Sequence, residues 1–408
     1  MQTTLTDSFK QTAEGQEAEA ILRTCVHCGF CLATCPTYQL LGDELDSPRG
    51  RIYLMKQLLE GKDVSEKTQL HLDRCLTCRA CETTCPSGVQ YGRLVDIGRG
   101  LVESRVKRSF TASIKRKALA AVLPNPAIFK PALRLGQLAR PLLPELLKRK
   151  IPQAQPAQTW PASNHTRRML VLDGCVQPTL APNINAATAR VLDRLGISLV
   201  KAEQAGCCGA VAYHLNQQAD GLDYMRRNID AWWPFVEAGI ESIVMTASGC
   251  GTTVKEYGHM LAGDPAYAKK AEHISKLTKD ISEVITAEAD RFAELFEPKE
   301  KRGEKVAFHP PCSLQHAQKL NGIVETLLQK MGYELTPVPD AHLCCGSAGT
   351  YSLLQPELSQ RLLKNKIANL SLGKPSLIAT ANIGCQSHIQ TATALPVKHW
   401  IELVADAR

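Results

Sequence analysis

The feature that most constrains this chain is a cysteine run that occurs twice. Cys25, Cys28, Cys31 and Cys35, with Pro36 behind them, have the spacing C-x2-C-x2-C-x3-C-P, and Cys75, Cys78, Cys81 and Cys85, with Pro86, repeat it. Three thiolates separated by two residues each can wrap a tight turn around three irons of a cube, while the fourth, turned away ahead of proline, reaches the other cube. The spacing therefore predicts two cross-tied [4Fe–4S] clusters. Cys25, Cys28, Cys31 and Cys85 would hold one; Cys75, Cys78, Cys81 and Cys35 would hold the other. A pair of zinc sites is the competing reading, because zinc also uses C-x2-C. Two identical quartets, both followed by proline, favour the cubes.

The other eight of the sixteen cysteines fall between residues 175 and 385, and none lies between 86 and 174. In an oxidising compartment such a count would suggest disulfides. The first fifteen residues, however, carry Asp7, Lys10 and Glu14 and no apolar stretch of the signal-peptide kind. Pro, Lys or Arg interrupts every apolar stretch before it reaches the ~18–20 residues of a membrane span. The expectation is a cytoplasmic protein, with peripheral attachment to the inner face of a membrane as a variant, whose thiols are metal ligands. There is no G-x-G-x-x-G, no P-loop and no H-E-x-x-H, so a flavin, nucleotide or zinc-hydrolase site must lie on another chain.

Between Arg105 and Lys150 stand twelve basic residues and one acid, Glu145, an excess larger than the whole chain's +8. Leu119, Val122, Phe129, Leu133, Leu138, Leu142, Leu143 and Leu147 run through the same stretch, with prolines breaking it. Short basic amphipathic helices of this kind suit an anionic membrane surface or an acidic subunit; a solvated connector face is the plainer reading. Nucleic acid is not expected as a partner, since aromatics make up only 5% of the chain and base-stacking platforms need them. Ile151 to Arg168, rich in Pro, Gln and Ala, reads as a mobile connection.

Upstream, Ser47-Pro48 predicts a helix start, and Ile52, Leu54, Met55, Leu58 and Leu59 continue a helical face to Gly61. Arg49 and Arg51 at that start, and His27 and Arg79 between the cysteines, are read as solvated residues, with tuning of the clusters as the sharper alternative. Downstream, Cys175 and Cys207 are 32 residues apart, as are Cys312 and Cys344, and the second of each pair opens Cys207-Cys208-Gly209 or Cys344-Cys345-Gly346. Each set follows a short apolar run, Met169 to Leu172 or Val306 to Phe308. A helical pattern to Gly196 or Gly332 comes next, and then a second apolar run, Ser242 to Thr246 or Leu377 to Thr380, leading to Cys250 or Cys385. Strand, helix and strand in that order predict an α/β unit built twice.

These repeats resemble the cysteine-rich CCG domains of heterodisulfide reductase-type subunits. With two ferredoxin motifs ahead of them, residues 20–400 resemble the iron–sulfur subunits of glycolate oxidases. Cys25-Val-His-Cys28-Gly-Phe-Cys31, Thr37-Tyr-Gln-Leu-Leu-Gly42-Asp-Glu-Leu45 and Asn185-Ala-Ala-Thr-Ala-Arg190 carry the match. The resemblance implies an α+β multidomain chain. A helical 2[4Fe–4S] ferredoxin-like domain (1–103) would precede a basic connector (104–167) and two CCG repeats (168–295 and 296–408). It implies an FAD-containing partner that oxidises glycolate to glyoxylate, D-lactate being a second candidate, and electron relay through this chain to a quinone or other acceptor, with no catalytic residue here. One departure matters: the full CCG pattern ends in C-x-x-C, but Cys250 is followed by Gly251, Thr252 and Thr253, and Cys385 by Gln386, Ser387 and His388. The missing fifth thiol speaks against a disulfide-reducing cluster, the alternative function. Cys175, Cys207, Cys208 and Cys250, or Cys312, Cys344, Cys345 and Cys385, could still hold a further iron–sulfur cluster. His309 or His388 could act as an extra ligand, though a hydrogen-bonding neighbour is the more ordinary role for each.

Overall fold

The computed structural model describes residues 1–144, 148, 151–298 and 302–407; Glu145, Leu147, Arg149 and Lys150 of the basic stretch lie outside them. The N-terminal part is helical, and its main helices run over Ala13–Thr24, Pro48–Leu59, Glu66–Asp73 and Tyr91–Arg105. The Ser47 hydroxyl accepts the Gly50 N–H at 2.9 Å and Pro48 fills the first helical position, where a missing N–H costs nothing. Leu22, Ile52, Met55, Leu58, Leu72, Leu94 and Val102 close one apolar cluster beneath the two cysteine runs.

The basic stretch forms two further helices, Phe110–Val122 and Pro126–Ala139. Arg108 pairs with Asp73 and Glu103, and Arg116 with Asp73, so part of the excess charge is used to tie the first of these helices to the ferredoxin-like part. The second helix buries no residue. The connection expected to be mobile is anchored from Gln158 onward. The Gln158 N–H donates to Asn183 Oδ1 at 2.8 Å, the Trp160 indole to the Leu199 carbonyl at 3.2 Å, and the His165 N–H to Ser198 Oγ at 2.7 Å. A composition rich in Pro and Gln does not reveal a single aromatic anchor.

Among the described residues eight strands follow: β1 (Arg167–Val171), β2 (Ile197–Lys201), β3 (Ile243–Met245), β4 (Thr278–Asp280), β5 (Lys305–His309), β6 (Glu334–Leu335), β7 (Leu377–Thr380) and β8 (Val397–His399). They make two parallel sheets of the same topology, β2-β1-β3-β4 and β6-β5-β7-β8. The chain is thus α+β, with a helical ferredoxin-like part ahead of two α/β repeats. Each repeat keeps an apolar cluster of its own, and the two share a larger one. Val191, Leu192, Ile281 and Phe292 of the first join Phe308, Leu328, Trp400 and Val404 of the second in one apolar cluster.

Candidate metal centres

Each cysteine run is wound by a pair of left-handed residues. In the first run these are His27 (φ 59°) and Gly29 (φ 87°); in the second they are Thr77 (φ 53°) and Arg79 (φ 61°) at the matching places. Alternating the backbone hand in this way turns three cysteines toward one point, at a cost where the residue is not glycine. Arg79 offsets that cost by pairing with Glu82 at 2.9 Å and with Glu256 of the first repeat. It is therefore not the solvated loop residue the sequence suggests but a tie between two parts of the chain. His27 is half-buried, and its Nε2 has no hydrogen-bond partner.

Cys25, Cys28, Cys31 and Cys85 line one cavity, which Cys81 of the second run also borders and which Pro48, Ile52, Pro86, Val89 and Tyr91 wall. Four soft donors around an apolar pocket are the chemistry an iron–sulfur cube needs. Burial pushes the Cys31 thiol up to about 11, with Cys25 adding to it, and pushes Cys25 up, with Cys85 and Cys28 adding. In the second run burial raises Cys78 and Cys81, and Cys35 is among the charges that each of them feels. Cys85 thus shares a cavity with the first three cysteines of the first run, and the charge of Cys35 is felt by Cys78 and Cys81 of the second. Metal binding must displace these protons.

Arg51, read from sequence as a surface charge, is 1% exposed. Its guanidinium reaches Asp46 Oδ1 at 3.2 Å, Thr37 Oγ1 at 3.1 Å, the His71 carbonyl at 2.7 Å and Cys35 Sγ at 4.0 Å. Asp46, fully buried, also pairs with Arg74 at 2.8 Å. Arg99 clamps the other end of the site, donating to the carbonyls of Leu72 (2.8 Å) and Cys75 (2.6 Å) and to Thr77 Oγ1 (2.9 Å). The Tyr91 hydroxyl donates to Cys75 Sγ at 3.7 Å. Arg99 and Tyr91 have no motif to announce them; their signal is a helical position 24 or 16 residues beyond Cys75 that only the fold brings back.

In the repeats, the cysteines gather where an open parallel sheet places its ligands: at the carboxyl ends of the strands, where the strand order reverses. Cys175 follows β1, Cys207 and Cys208 follow β2, and Cys250 follows β3; the second sheet repeats the arrangement. Both Cys-Cys-Gly glycines are left-handed, Gly209 at φ 91° and Gly346 at φ 89°. A Cβ on either would lie 2.6 Å from a carbonyl oxygen, that of Gly221 or Ser359. Only glycine fits there. The Cys207 thiol is held down to about 4 because Cys175 and Cys208 hydrogen-bond to it, and those two are pushed up in exchange. In the second repeat Cys312 Sγ and Cys344 Sγ are 3.9 Å apart, and Cys345 hydrogen-bonds to Cys385.

Comparison with known proteins agrees with this geometry. Residues 21–89 match the 4Fe-4S dicluster domain, and residues 169–255 and 306–390 match the CCG cysteine-rich domain. The chain is 58% identical over 412 residues to the glycolate oxidase iron-sulfur subunit of Escherichia coli K12, covering 100% of this chain and 99% of that one. The chain belongs to the glycolate oxidase iron–sulfur subunit family. A second relative, the probable glycolate oxidase iron-sulfur subunit of Bacillus subtilis 168, is 31% identical over 90% of this chain and 88% of its own length. Lactate utilization protein A of Bacillus licheniformis is 27% identical over 53% of this chain and 87% of its own.

Within the family's two-part plan, the second cysteine run and the second repeat meet. Cys78 packs in one apolar cluster with Leu76, Cys312, Cys344, Tyr351 and Leu358. Thr83 Oγ1 lies 3.0 Å from His316 Nδ1, the Tyr351 hydroxyl donates to the Arg74 carbonyl at 3.2 Å, and Arg361 donates to the Leu40 carbonyl at 2.8 Å. The first repeat meets the ferredoxin-like part through polar contacts instead: the Arg79–Glu256 ion pair, Asn216 donating to Glu103, and the His259–Glu17 and His214–Asp96 contacts.

Proposed function

We propose that this chain is the electron-relaying subunit of a glycolate-oxidising complex. It would carry one [4Fe–4S] cluster on Cys25, Cys28, Cys31 and Cys85 and a second on Cys75, Cys78, Cys81 and Cys35. A separate FAD-bearing subunit would oxidise glycolate to glyoxylate, D-lactate being the other candidate substrate, and pass electrons on singly. When bound, the cubes supply reversible one-electron storage. The chain's own residues fix their ligands, keep water from the second site and hold the two sites together. The observation that carries the reading is the interleaving of the two quartets, Cys85 beside Cys25 and Cys35 beside Cys78 and Cys81.

The exposure of the first site supports it as the point of entry. Cys28 is exposed there, with Val26 and Phe30 uncovered beside it. The terminal acceptor, a quinone or another carrier, would be reached at the membrane surface. Phe110, Ile114, Leu135, Leu138 and Leu142 are exposed among Lys115, Lys117, Lys130, Arg134 and Arg140, the pattern of a face that enters an anionic lipid surface. No helix among the described residues is long and apolar enough to cross a membrane.

The test is made on the anaerobically purified chain together with its flavoprotein partner. About eight irons per chain are expected from the cubane pair alone, and EPR signals from both cubes should grow on adding glycolate. Zinc in place of iron, or cubes that stay oxidised while the flavin is reduced, would overturn the assignment. Flotation with phosphatidylglycerol vesicles, lost on Leu138→Ser with Leu142→Ser, tests the lipid face; binding unchanged by those substitutions removes it.

A further inference from the structure

The two repeats share a topology and a cysteine spacing, but their cysteine sites are not alike. Three residues before Cys312 stands His309, the last residue of β5; three residues before Cys175 stands Leu172. Leu172 is buried in the apolar cluster that contains Cys208. His309 is 1% exposed, its Nδ1 has no hydrogen-bond partner, and a ring nitrogen, Cys345 Sγ and Cys385 Sγ all lie within 4.8 Å of one another. An imidazole nitrogen buried without a partner is costly unless something absent from the protein part satisfies it. His388, the other histidine the sequence offers, is used otherwise: its Nε2 is 3.1 Å from Ser359 Oγ.

A second difference points the same way. Seven residues beyond the carbonyl that faces each Cys-Cys-Gly glycine, the first repeat has Asn228 and the second has Lys366. Asn228 is a neutral clamp, accepting the Gly206 N–H and donating to the Cys207 carbonyl, both at 2.8 Å. Lys366 is 2% exposed and donates to the Asp340 carbonyl at 2.7 Å, yet among the described residues it forms no ion pair with a carboxylate. A buried ammonium without a counter-charge is unfavourable. The charges that bear on it are, largest first, those of Cys345, Cys344, Asp340 and Cys385, three thiols against one carboxylate that does not reach it as an ion pair. An anionic metal–thiolate centre supplies the larger part of its counter-charge.

We propose that the second repeat alone holds a mixed cysteine–histidine iron–sulfur centre, with His309 as a ligand beside Cys345 and Cys385, Cys312 and Cys344 completing the set, and Lys366 as its buried counter-charge. This rests on the relay reading above and extends it. The centre would adjoin the second cube, because Cys78 packs against Cys312 and Cys344. Replacing thiolate by imidazole raises the potential of an iron–sulfur centre, so this is the downhill neighbour of an all-cysteine cube. In that arrangement one electron would leave the reduced second cube, returning it to its oxidised state, and would reduce the centre held by His309, Cys345 and Cys385 by one before passing to the terminal acceptor.

The full chain labelled with 15N-histidine and purified anaerobically should contain iron beyond the about eight of the cubane pair. It should also show a paramagnetic signal with nitrogen hyperfine coupling. His309→Leu, which copies the first repeat, should remove that signal and the additional iron while both cubane signals persist. His309→Cys guards against a folding failure: it should retain the iron, lose the nitrogen coupling and titrate at a lower potential. Nitrogen coupling that survives in His309→Cys would overturn the proposal. So would zinc as the additional metal, or a wild-type chain with cubane signals and no more than about eight irons. A nitrogen-coupled centre without cubane signals would uphold this site and overturn the relay.

Discussion

In the first cysteine run the Cys28 thiol, Val26 and Phe30 face outward; in the second, Cys78 and Leu76 lie under Tyr351 and Leu358 of the second repeat. The spacing is the same to the residue and the winding uses left-handed backbone at the same two places. What differs is the cover. An exposed cube can receive an electron from another protein, whereas an enclosed one exchanges with its neighbours inside the chain. Identical motifs thus acquire different places in a sequence of transfers through the surface packed against them, which no ligand spacing records.

Four substitutions probe such differences, three between the cysteine runs and one between the repeats. Cys78→Ser should reduce electron flow to an external acceptor by two orders of magnitude or more and leave glycolate-driven flavin reduction in the partner intact, measured by stopped-flow absorbance. Loss of flavin reduction as well would break the distinction between an inner and an outer site. Arg51→Met leaves Asp46 buried with one guanidinium fewer, at a cost of about 3–5 kcal/mol in urea unfolding. A second-cube signal unchanged in a stable variant would show that the buried cation has no part in holding Cys35.

A matching position in the two repeats gives the third test. Asp280 ends β4 and caps the helix Ile281–Ala287; His399 ends β8 and caps Trp400–Ala405, each with a glutamate completing the capping box. Burial pushes Asp280 up to about 6 and pulls His399 down to about 4. The unfolded chain binds more protons at His399 between those pH values, so that stability is complete above about 6.5 and is lost as pH falls toward 4. Asp280 behaves oppositely, its protonated folded form gaining stability over the same descent, and the two contributions offset in the wild type. Asp280→Asn removes the offset, and its unfolding free energy in urea should then fall between pH 7.5 and 4.5 by roughly 3 kcal/mol, at about 1.4 kcal/mol per pKa unit. A flat profile in that variant would deny the asymmetry. The smallest effect belongs to Gly29→Ala, which forces a side chain into φ 87° and within 3.0 Å of Arg49 Nη1; about 1–2 kcal/mol should be lost, all of it at the outer site.

Ligand spacing, the Ser47 cap and the duplicated α/β order were legible in the sequence because each depends on neighbours along the chain. Arg51 was not, because an arginine beside a helix start is ordinarily solvated, and only the return of Asp46 and His71 encloses it. Arg79 was misread for the same reason, its partner Glu256 lying 177 residues away. The edge strands β2, β4, β6 and β8 are two to five residues long and leave a weak periodic signal. Of the two histidines that sequence offered beside the second repeat, only the fold shows that His388 is satisfied by Ser359 and that His309 is not.

The apolar interior that both sheets border has a bearing on ancestry. Once Val191 and Ile281 came to rest against Trp400 and Val404, either half deprived of the other would expose that whole surface to water. A gene duplication that began as two interchangeable copies is thereby locked in. Each copy can drift in its chemistry, one trading leucine for histidine or asparagine for lysine, while neither can be discarded.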